Sequence, residues 1–218
     1  MSVDAVLFDL DGTLADTAPD LGAAANRLRA DVGLPPLPLE ILRPHTSSGV
    51  RGMLHAALDT GPQDSAFPDL SARFLAHYRD NLCVASRLFD RMYELLDALE
   101  GNAIKWGIVT NKRSAFTDPL VDALGLSTRA CCVVSGDAAP RLKPAPDTLL
   151  LACQIASLDA SRCIYVGDDQ RDIQAGRNAG MTTVAAAYGY LGVEVPIGEW
   201  QADHIIHGPM ELLQIIGL

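Results

Sequence analysis

The chain has 218 residues, 49% hydrophobic and 20% charged, which suits one large domain or a core carrying a small insertion and can bury a core without disulfides or a structural metal. A formal net charge of −10 argues against nucleic acid and anionic membranes as partners, and it sets a condition on any anionic substrate, because a local cation must override the global sign. The first nine residues hold two acids and no basic start, no apolar run approaches the ~20 residues of a membrane helix, and the five cysteines lack Cys-x-x-Cys spacing, so a cytoplasmic protein with reduced thiols is expected.

The first apolar run, 5–8, stops at Asp9. Further short runs follow at 106–109, 131–134, 163–166 and 183–187, each closing on polar or small residues. None alternates, which suits strands buried on both faces of a parallel sheet. Between residues 16 and 84 no strand is expected. Leu21, Ala25, Leu28 and Val32 make a helical stripe that Thr17 can cap, Pro35, Pro36 and Pro38 interrupt it, and helical stretches follow near 50–59 and 68–81. From residue 89 onward helices lie between the strands. Their stripes are Phe89, Met92, Tyr93, Leu96 and Leu99 before Gly101; Phe116, Leu120 and Leu124 before Gly125; Leu149, Cys153 and Ala156; and Met210, Leu213 and Ile216. This alternation predicts a doubly wound, Rossmann-like α/β core over 1–15 and 85–218, with a helical cap domain, 16–84, inserted after the first strand.

The first strand ends in Asp9-Leu10-Asp11-Gly12-Thr13. Two carboxylates so close repel unless a cation lies between them, and hard oxygen ligands favour Mg²⁺, which seldom fills its shell from a single loop. A second acidic cluster, Gly167-Asp168-Asp169-Gln170-Arg171-Asp172, follows the run at 163–166. Parallel strands end on one side, so Asp9 and Asp168 are expected to meet at the carboxyl edge of the sheet, where such folds bind ligands. Thr110 and Asn111 end the run at 106–109 and can donate to phosphoryl oxygens, while Lys143, before Pro144, can supply the local positive charge. Asp-x-Asp-Gly-Thr alone arises by chance in about one chain in a thousand of this length, at ~5% per fixed residue.

On these four motifs, taken in order, the chain resembles the haloacid dehalogenase-like phosphatases over essentially its whole length. The resemblance implies that Asp9 attacks phosphorus to form an aspartyl-phosphate, and that Asp11 protonates the leaving alcohol and then activates water. It implies a Mg²⁺ held by the Asp9 carboxylate, the Asp11 carbonyl and Asp168, with Asp172 behind them positioning Lys143. A carboxylate nucleophile divides one hard displacement into two. Around the motifs, Asp16 is expected to cap the next helix, Asp169 to be a solvated neighbour and Lys112 a surface charge; the five histidines show no metal-type pairing.

Substrate choice is expected to lie in the helical segment. Ser48, Gly49 and Arg51 at a loop-to-helix start are the candidate specificity residues, with Arg51 placed to pair with a substrate carboxylate. Residues 108–112 and Tyr188-Gly189-Tyr190 are similar to phosphoglycolate phosphatases, which makes 2-phosphoglycolate the leading substrate among small phosphorylated acids and sugars. Phe89-Asp90-Arg91 departs from the Phe-Pro-Gly of many of them. With residues 106–112 it looks more like N-acetylmuramic acid 6-phosphate phosphatases, the alternative. A phosphomutase would share every motif; a dehalogenase attacking carbon would need neither Asp11 nor Asp168. Monomer and homodimer are equally open.

Overall fold

The apolar runs become strands because their side chains are buried on both faces. In the computed structural model, which describes residues 3–192 and 195–218, the elements in chain order begin with β1 (Ala5–Phe8), β2 (Ala15–Asp16), α1 (Ala18–Asp31), α2 (Leu39–Leu42), α3 (Gly49–Leu58) and α4 (Phe67–Arg79). They continue with β3 (Arg87–Leu88), α5 (Met92–Gly101), β4 (Lys105–Val109), α6 (Ser114–Ala123), β5 (Val133–Val134) and α7 (Asp147–Ala156). The last are β6 (Cys163–Gly167), α8 (Gln170–Asn178), β7 (Thr182–Ala186), β8 (His204–Ile206) and α9 (Glu211–Ile216). A 3-10 turn, Arg43–Ser48, joins α2 to α3.

Six strands form one parallel sheet in the order β5-β4-β1-β6-β7-β8. Along β1, Val6 and Phe8 face one layer with Trp106, Ile108, Val166 and the apolar sides of α5, α6 and α9. Ala5 and Leu7 face the other, with Tyr165, Leu149 and Ala175 of β6, α7 and α8. The period of two thus sends alternate residues of one strand into two cores, and the fold is the doubly wound, Rossmann-like α/β architecture expected from the runs. Phe8 is in register with Ile108 on one side and Val166 on the other, so the ends of β1, β4 and β6 come level.

The excursion between β2 and β3 is entirely helical among its described elements, and α1 to α4 share their own core of Leu21, Leu28, Leu42, Met53, Leu54, Phe74 and Tyr78, to which Phe116 of α6 contributes. The outgoing and returning chains pair antiparallel, Ala15 with Leu88 and Asp16 with Arg87. Asp20 fastens the return: its buried carboxylate accepts from the N–H groups of Val84, Ala85 and Ser86 at 2.8–3.0 Å and from the Ser86 hydroxyl at 2.7 Å.

Several details differ from the sequence reading. Arg91 takes a positive φ of 59° and α5 starts only at Met92, so Phe89 lies outside the helix and Tyr93 is exposed; the buried stripe is Met92, Leu95, Leu96 and Leu99. Val32 falls beyond α1 and is exposed, and Leu212 is the buried residue of α9. The run at 131–134 yields only a two-residue strand. Two short pairings carried too little pattern to be read, β2 with β3 and the edge strand β8. No helix among the described residues is long and apolar enough to cross a membrane. All five cysteines are free thiols.

Candidate active site

The level ends of β1, β4 and β6 put Asp9, Thr110 and Asp168 side by side at the carboxyl edge of the sheet. Asp9 continues the ladder, its N–H donating to the Val166 carbonyl at 2.9 Å. Lys143 arrives from the loop before α7, its side chain only 3% exposed. Its ammonium donates to Asp9 Oδ1 at 2.7 Å, Asp172 Oδ1 at 2.7 Å and the Tyr165 hydroxyl at 2.8 Å, with the Val109 carbonyl at 3.1 Å. Burial alone would lower its pKa, but Asp172 and Asp9 more than offset this and hold Lys143 well above the usual lysine value. Asp9 Oδ2 accepts no hydrogen bond from the described residues, so one oxygen of that carboxylate is held while the other is open to a substrate.

Asp172 is placed by the start of α8. The Asp169 side chain accepts from the Arg171 N–H at 2.8 Å, and the Asp169 N–H donates back to Asp172 Oδ2 at 3.1 Å. One Asp172 oxygen therefore caps the helix and the other meets Lys143. Asp169 also forms a two-pronged ion pair with Arg171 at 2.7 Å, which makes it a cap rather than a solvated neighbour.

Asp168 is fully buried. Thr13 Oγ1 donates to its Oδ1 at 3.0 Å, and the Tyr190 N–H to its Oδ2 at 2.8 Å. Gly12, at φ +91°, and Gly189 pass so close that a Cβ on either would overlap the Asp168 side chain. Asp9, Asp168 and Asp172 each offer an oxygen within 4.8 Å of the others. Burial first, then mutual repulsion with Asp9, drives Asp168 well above the usual carboxylate range. Burial likewise pushes Asp172 up to about 7, Asp9 adding to the rise while Lys143 opposes it. Three buried carboxylates, of which only Asp9 and Asp172 reach the one ammonium, are short of positive charge, and an all-oxygen site of this kind suits a hard divalent cation.

Asp11 points elsewhere. Its Oδ1 accepts from Thr17 Oγ1 at 2.5 Å, and both oxygens accept from Lys112 Nζ at 2.8 and 2.9 Å. Thr17 thus begins α1 without capping it through its side chain. Lys112, expected at the surface, instead turns inward with its side chain only 9% exposed and its ammonium 4.9 Å from the centre of the Tyr78 ring. Burial pulls its pKa down, but Asp11 and Tyr78 outweigh that and raise it. Desolvation pushes Tyr78 up to about 12, and its hydroxyl has no hydrogen-bond partner among the described residues.

Thr110 Oγ1 accepts the Lys112 N–H at 3.2 Å, which leaves its own O–H to donate outward. Asn111 donates to the Lys143 carbonyl at 3.1 Å and accepts from the Lys143 N–H at 2.9 Å. Its carboxamide therefore fastens the lysine's loop through one of its two N–H groups and its carbonyl oxygen. Asp16 does not cap α1; its Oδ1 accepts from Arg43 Nη1 at 2.7 Å and from the Tyr190 hydroxyl at 3.0 Å.

The helical segment reaches the site through the turn Arg43–Ser48. Ser47 Oγ lies 3.3 Å from Asp168 Oδ2, and Arg171 Nη2 donates to the Ser47 carbonyl at 2.8 Å. Ser48, Gly49 and Arg51 are exposed, and Arg51 has no partner among the described residues. Sequence reading gave no role of their own to Arg43, Ser47 and Thr13 and placed Lys112 at the surface. The only available signal was proximity to a motif, for Thr13 inside the first and for Lys112 beside Thr110.

A family profile described as haloacid dehalogenase-like hydrolase matches residues 6–186. An N-acetylmuramic acid 6-phosphate phosphatase of Pseudomonas aeruginosa is 42% identical over 216 residues, covering 99% of this chain and 96% of that protein. A phosphoglycolate phosphatase of Xanthomonas campestris pv. campestris is 42% identical over 212 residues, covering 95% and 94%. Among solved structures, that of a predicted phosphoglycolate phosphatase from Haemophilus somnus superposes with a TM-score of 0.86 at 29% identity, covering 99% of this chain and 98% of that one.

Proposed function

The chain belongs to the haloacid dehalogenase-like hydrolases and is a phosphatase, and from that premise we propose a Mg²⁺-dependent phosphomonoesterase that works through an aspartyl-phosphate on Asp9 and acts on a small phosphorylated acid. The observation that carries this reading is the Asp9 carboxylate itself, one oxygen held by Lys143 at 2.7 Å and the other unengaged at the carboxyl edge of the sheet. Asp9, Asp168 and the Asp11 carbonyl, with Asp172 behind them, would hold a Mg²⁺ that offsets charge on the phosphoryl group.

Asp9 Oδ2 attacks phosphorus, the ester P–O bond breaks, and the leaving oxygen takes a proton from Asp11. Water then attacks the phosphorus of the acyl phosphate, its proton passes to Asp11, and the P–O bond to Asp9 breaks to release phosphate. Lys112 and Thr17 fix the Asp11 side chain at 2.5–2.9 Å, and proton transfer at the ester oxygen and at water requires the carboxyl to turn out of that pair. Thr110 donates its free hydroxyl to a phosphoryl oxygen, and Lys143 keeps the Asp9 carboxylate oriented. Residues 16–84 serve as a cap that screens the edge from bulk water. Free thiols and a chain without a membrane-spanning helix among its described residues support a cytoplasmic site of action.

The substrate is 2-phosphoglycolate or N-acetylmuramic acid 6-phosphate, the compounds in the names of the two relatives above. Similarity over almost the whole chain supports the second as strongly as the first, and both are phosphomonoesters that also carry a carboxylate. The deciding measurement is phosphate release from both acids and from neutral sugar phosphates, with Mg²⁺ and no bisphosphate activator. A preference of about 100-fold, or ~2.7 kcal/mol in the transition state, identifies the substrate. Asp9→Asn should abolish turnover of every ester, and turnover at the wild-type level would overturn the nucleophile assignment. Product appearing only with a bisphosphate would indicate a mutase.

A further inference from the structure

The cations flanking the carboxylates are not equally committed. Lys143 is spent on Asp9 and Asp172, Lys112 on both oxygens of Asp11, and the Nε/Nη2 fork of Arg171 on both oxygens of Asp169. Arg43 is different. Only its Nη1 is engaged, by Asp16 at 2.7 Å, while Nε and Nη2 have no acceptor among the described residues. Its side chain is 35% exposed, although the guanidinium is held in place. The plane is steadied by the Tyr190 ring, whose centre lies 5.7 Å from the guanidinium carbon, and the Tyr190 hydroxyl bonds to the same Asp16 oxygen at 3.0 Å.

Arg43 also lies next to the chemistry. Tyr190 donates its N–H to Asp168, and the turn that Arg43 opens places Ser47 against the same carboxylate. The turn Arg43–Ser48 is thereby tied at one end to Asp16 and Tyr190 and at the other to Asp168 at the sheet edge. A guanidinium with a free Nε/Nη2 edge is built for two parallel hydrogen bonds to a carboxylate.

We propose that Arg43 is the specificity residue that binds the substrate's carboxylate, an assignment that rests on the phosphorylated-acid reading given above. It answers the charge problem of a protein at −10: the phosphoryl group and the carboxylate are met by separate cations at one edge. It also moves the reading of the acid group from Arg51, which is exposed on α3, to a guanidinium that the site holds in place.

The test compares matched esters with and without the acid: 2-phosphoglycolate against 2-hydroxyethyl phosphate, and N-acetylmuramic acid 6-phosphate against N-acetylglucosamine 6-phosphate. The pair containing the acid that wild type hydrolyses faster is used with Arg43→Met and Arg43→Lys. In both variants kcat/KM for the acid should fall about 10- to 100-fold more than for its uncharged partner, chiefly through KM. A merely structural arginine would depress both esters alike, and equal losses in the two variants would overturn the assignment. If Arg43→Met does not fold, the ratio in Arg43→Lys decides. Absence of hydrolysis of any ester by wild type would instead refute the phosphatase substrate class and leave the carboxylate question with it.

Discussion

The sheet edge and the helical segment are built on opposite plans. At the edge, Asp9, Thr110, Asp168 and Asp172 sit where a strand ends or a helix begins, and nearly every charge has a fixed partner: Lys143 with Asp9 and Asp172, Lys112 with Asp11, Arg171 with Asp169. The helical segment has an apolar core of its own, and it meets the edge through the turn carrying Arg43 and Ser47, through Thr17 on Asp11 and through Tyr78 over Lys112. The two plans divide the task. On the proposed reading, topology fixes the chemistry and the turn Arg43–Ser48 adjusts which ester is admitted.

Breaking the edge should have the largest effect, and it should not distinguish among substrates. Lys143→Met leaves Asp9 and Asp172 buried beside each other without their ammonium. Turnover of every ester should fall by roughly 10²–10³-fold, as for loss of a preorganised charge. Stability should fall by about 3–5 kcal/mol, the cost of an uncompensated buried charge, as read from urea unfolding. A variant that lost activity toward one substrate alone would contradict the division of roles.

The next effect is on stability, through the cation. Asp168 and Asp172 have raised pKa values in the fold, Asp172 up to about 7, against an unfolded value near 3.9, so between those limits the folded chain binds more protons than the unfolded one. Stability in chelator should therefore decline as pH rises from about 4 to about 7. The gain in Tm on adding Mg²⁺ should be several degrees larger at pH 8 than at pH 5, where protons compete with the ion for Asp172. Equal gains at the two pH values would show that these carboxylates do not hold the ion. The smallest effect sharpens the contrast within the helical segment. Arg51→Ala, on the exposed side of α3, should leave kcat/KM for both acids within about twofold, the range of an ordinary surface change.

This division also accounts for what could be read from the sequence. Asp9, Thr110 and Asp168 were legible because buried strands have a recognisable composition and parallel strands must end on one side, so three separate runs predicted one meeting point. Asp172 and Lys143 followed from their neighbourhood. Lys112 was misjudged because a lysine one residue past a motif looks the same in sequence whether its stem runs out to water or inward over Tyr78; the helix that buries it lies more than thirty positions earlier. Arg43 and Ser47 were missed for a related reason. A 3-10 turn has no apolar period, so its contacts depend on how α1 to α4 pack, which no local spacing encodes. Ser48, Gly49 and Arg51 drew attention instead because a glycine before a helix is a visible signal, although that signal marks the helix and not its distance from the edge.

The divided carboxylate of Asp172 carries a consequence for redesign. One oxygen begins α8 and the other balances Lys143, so secondary structure and electrostatics draw on the same side chain. An amide there could keep only one of its two acceptors, and a glutamate would carry both oxygens a carbon further from the helix start. Retuning this enzyme toward another metal or a different working pH therefore cannot proceed by single exchange at this position. The first turn of α8 would have to be rewritten together with it, whereas the role proposed for the turn Arg43–Ser48 would let selectivity be varied separately.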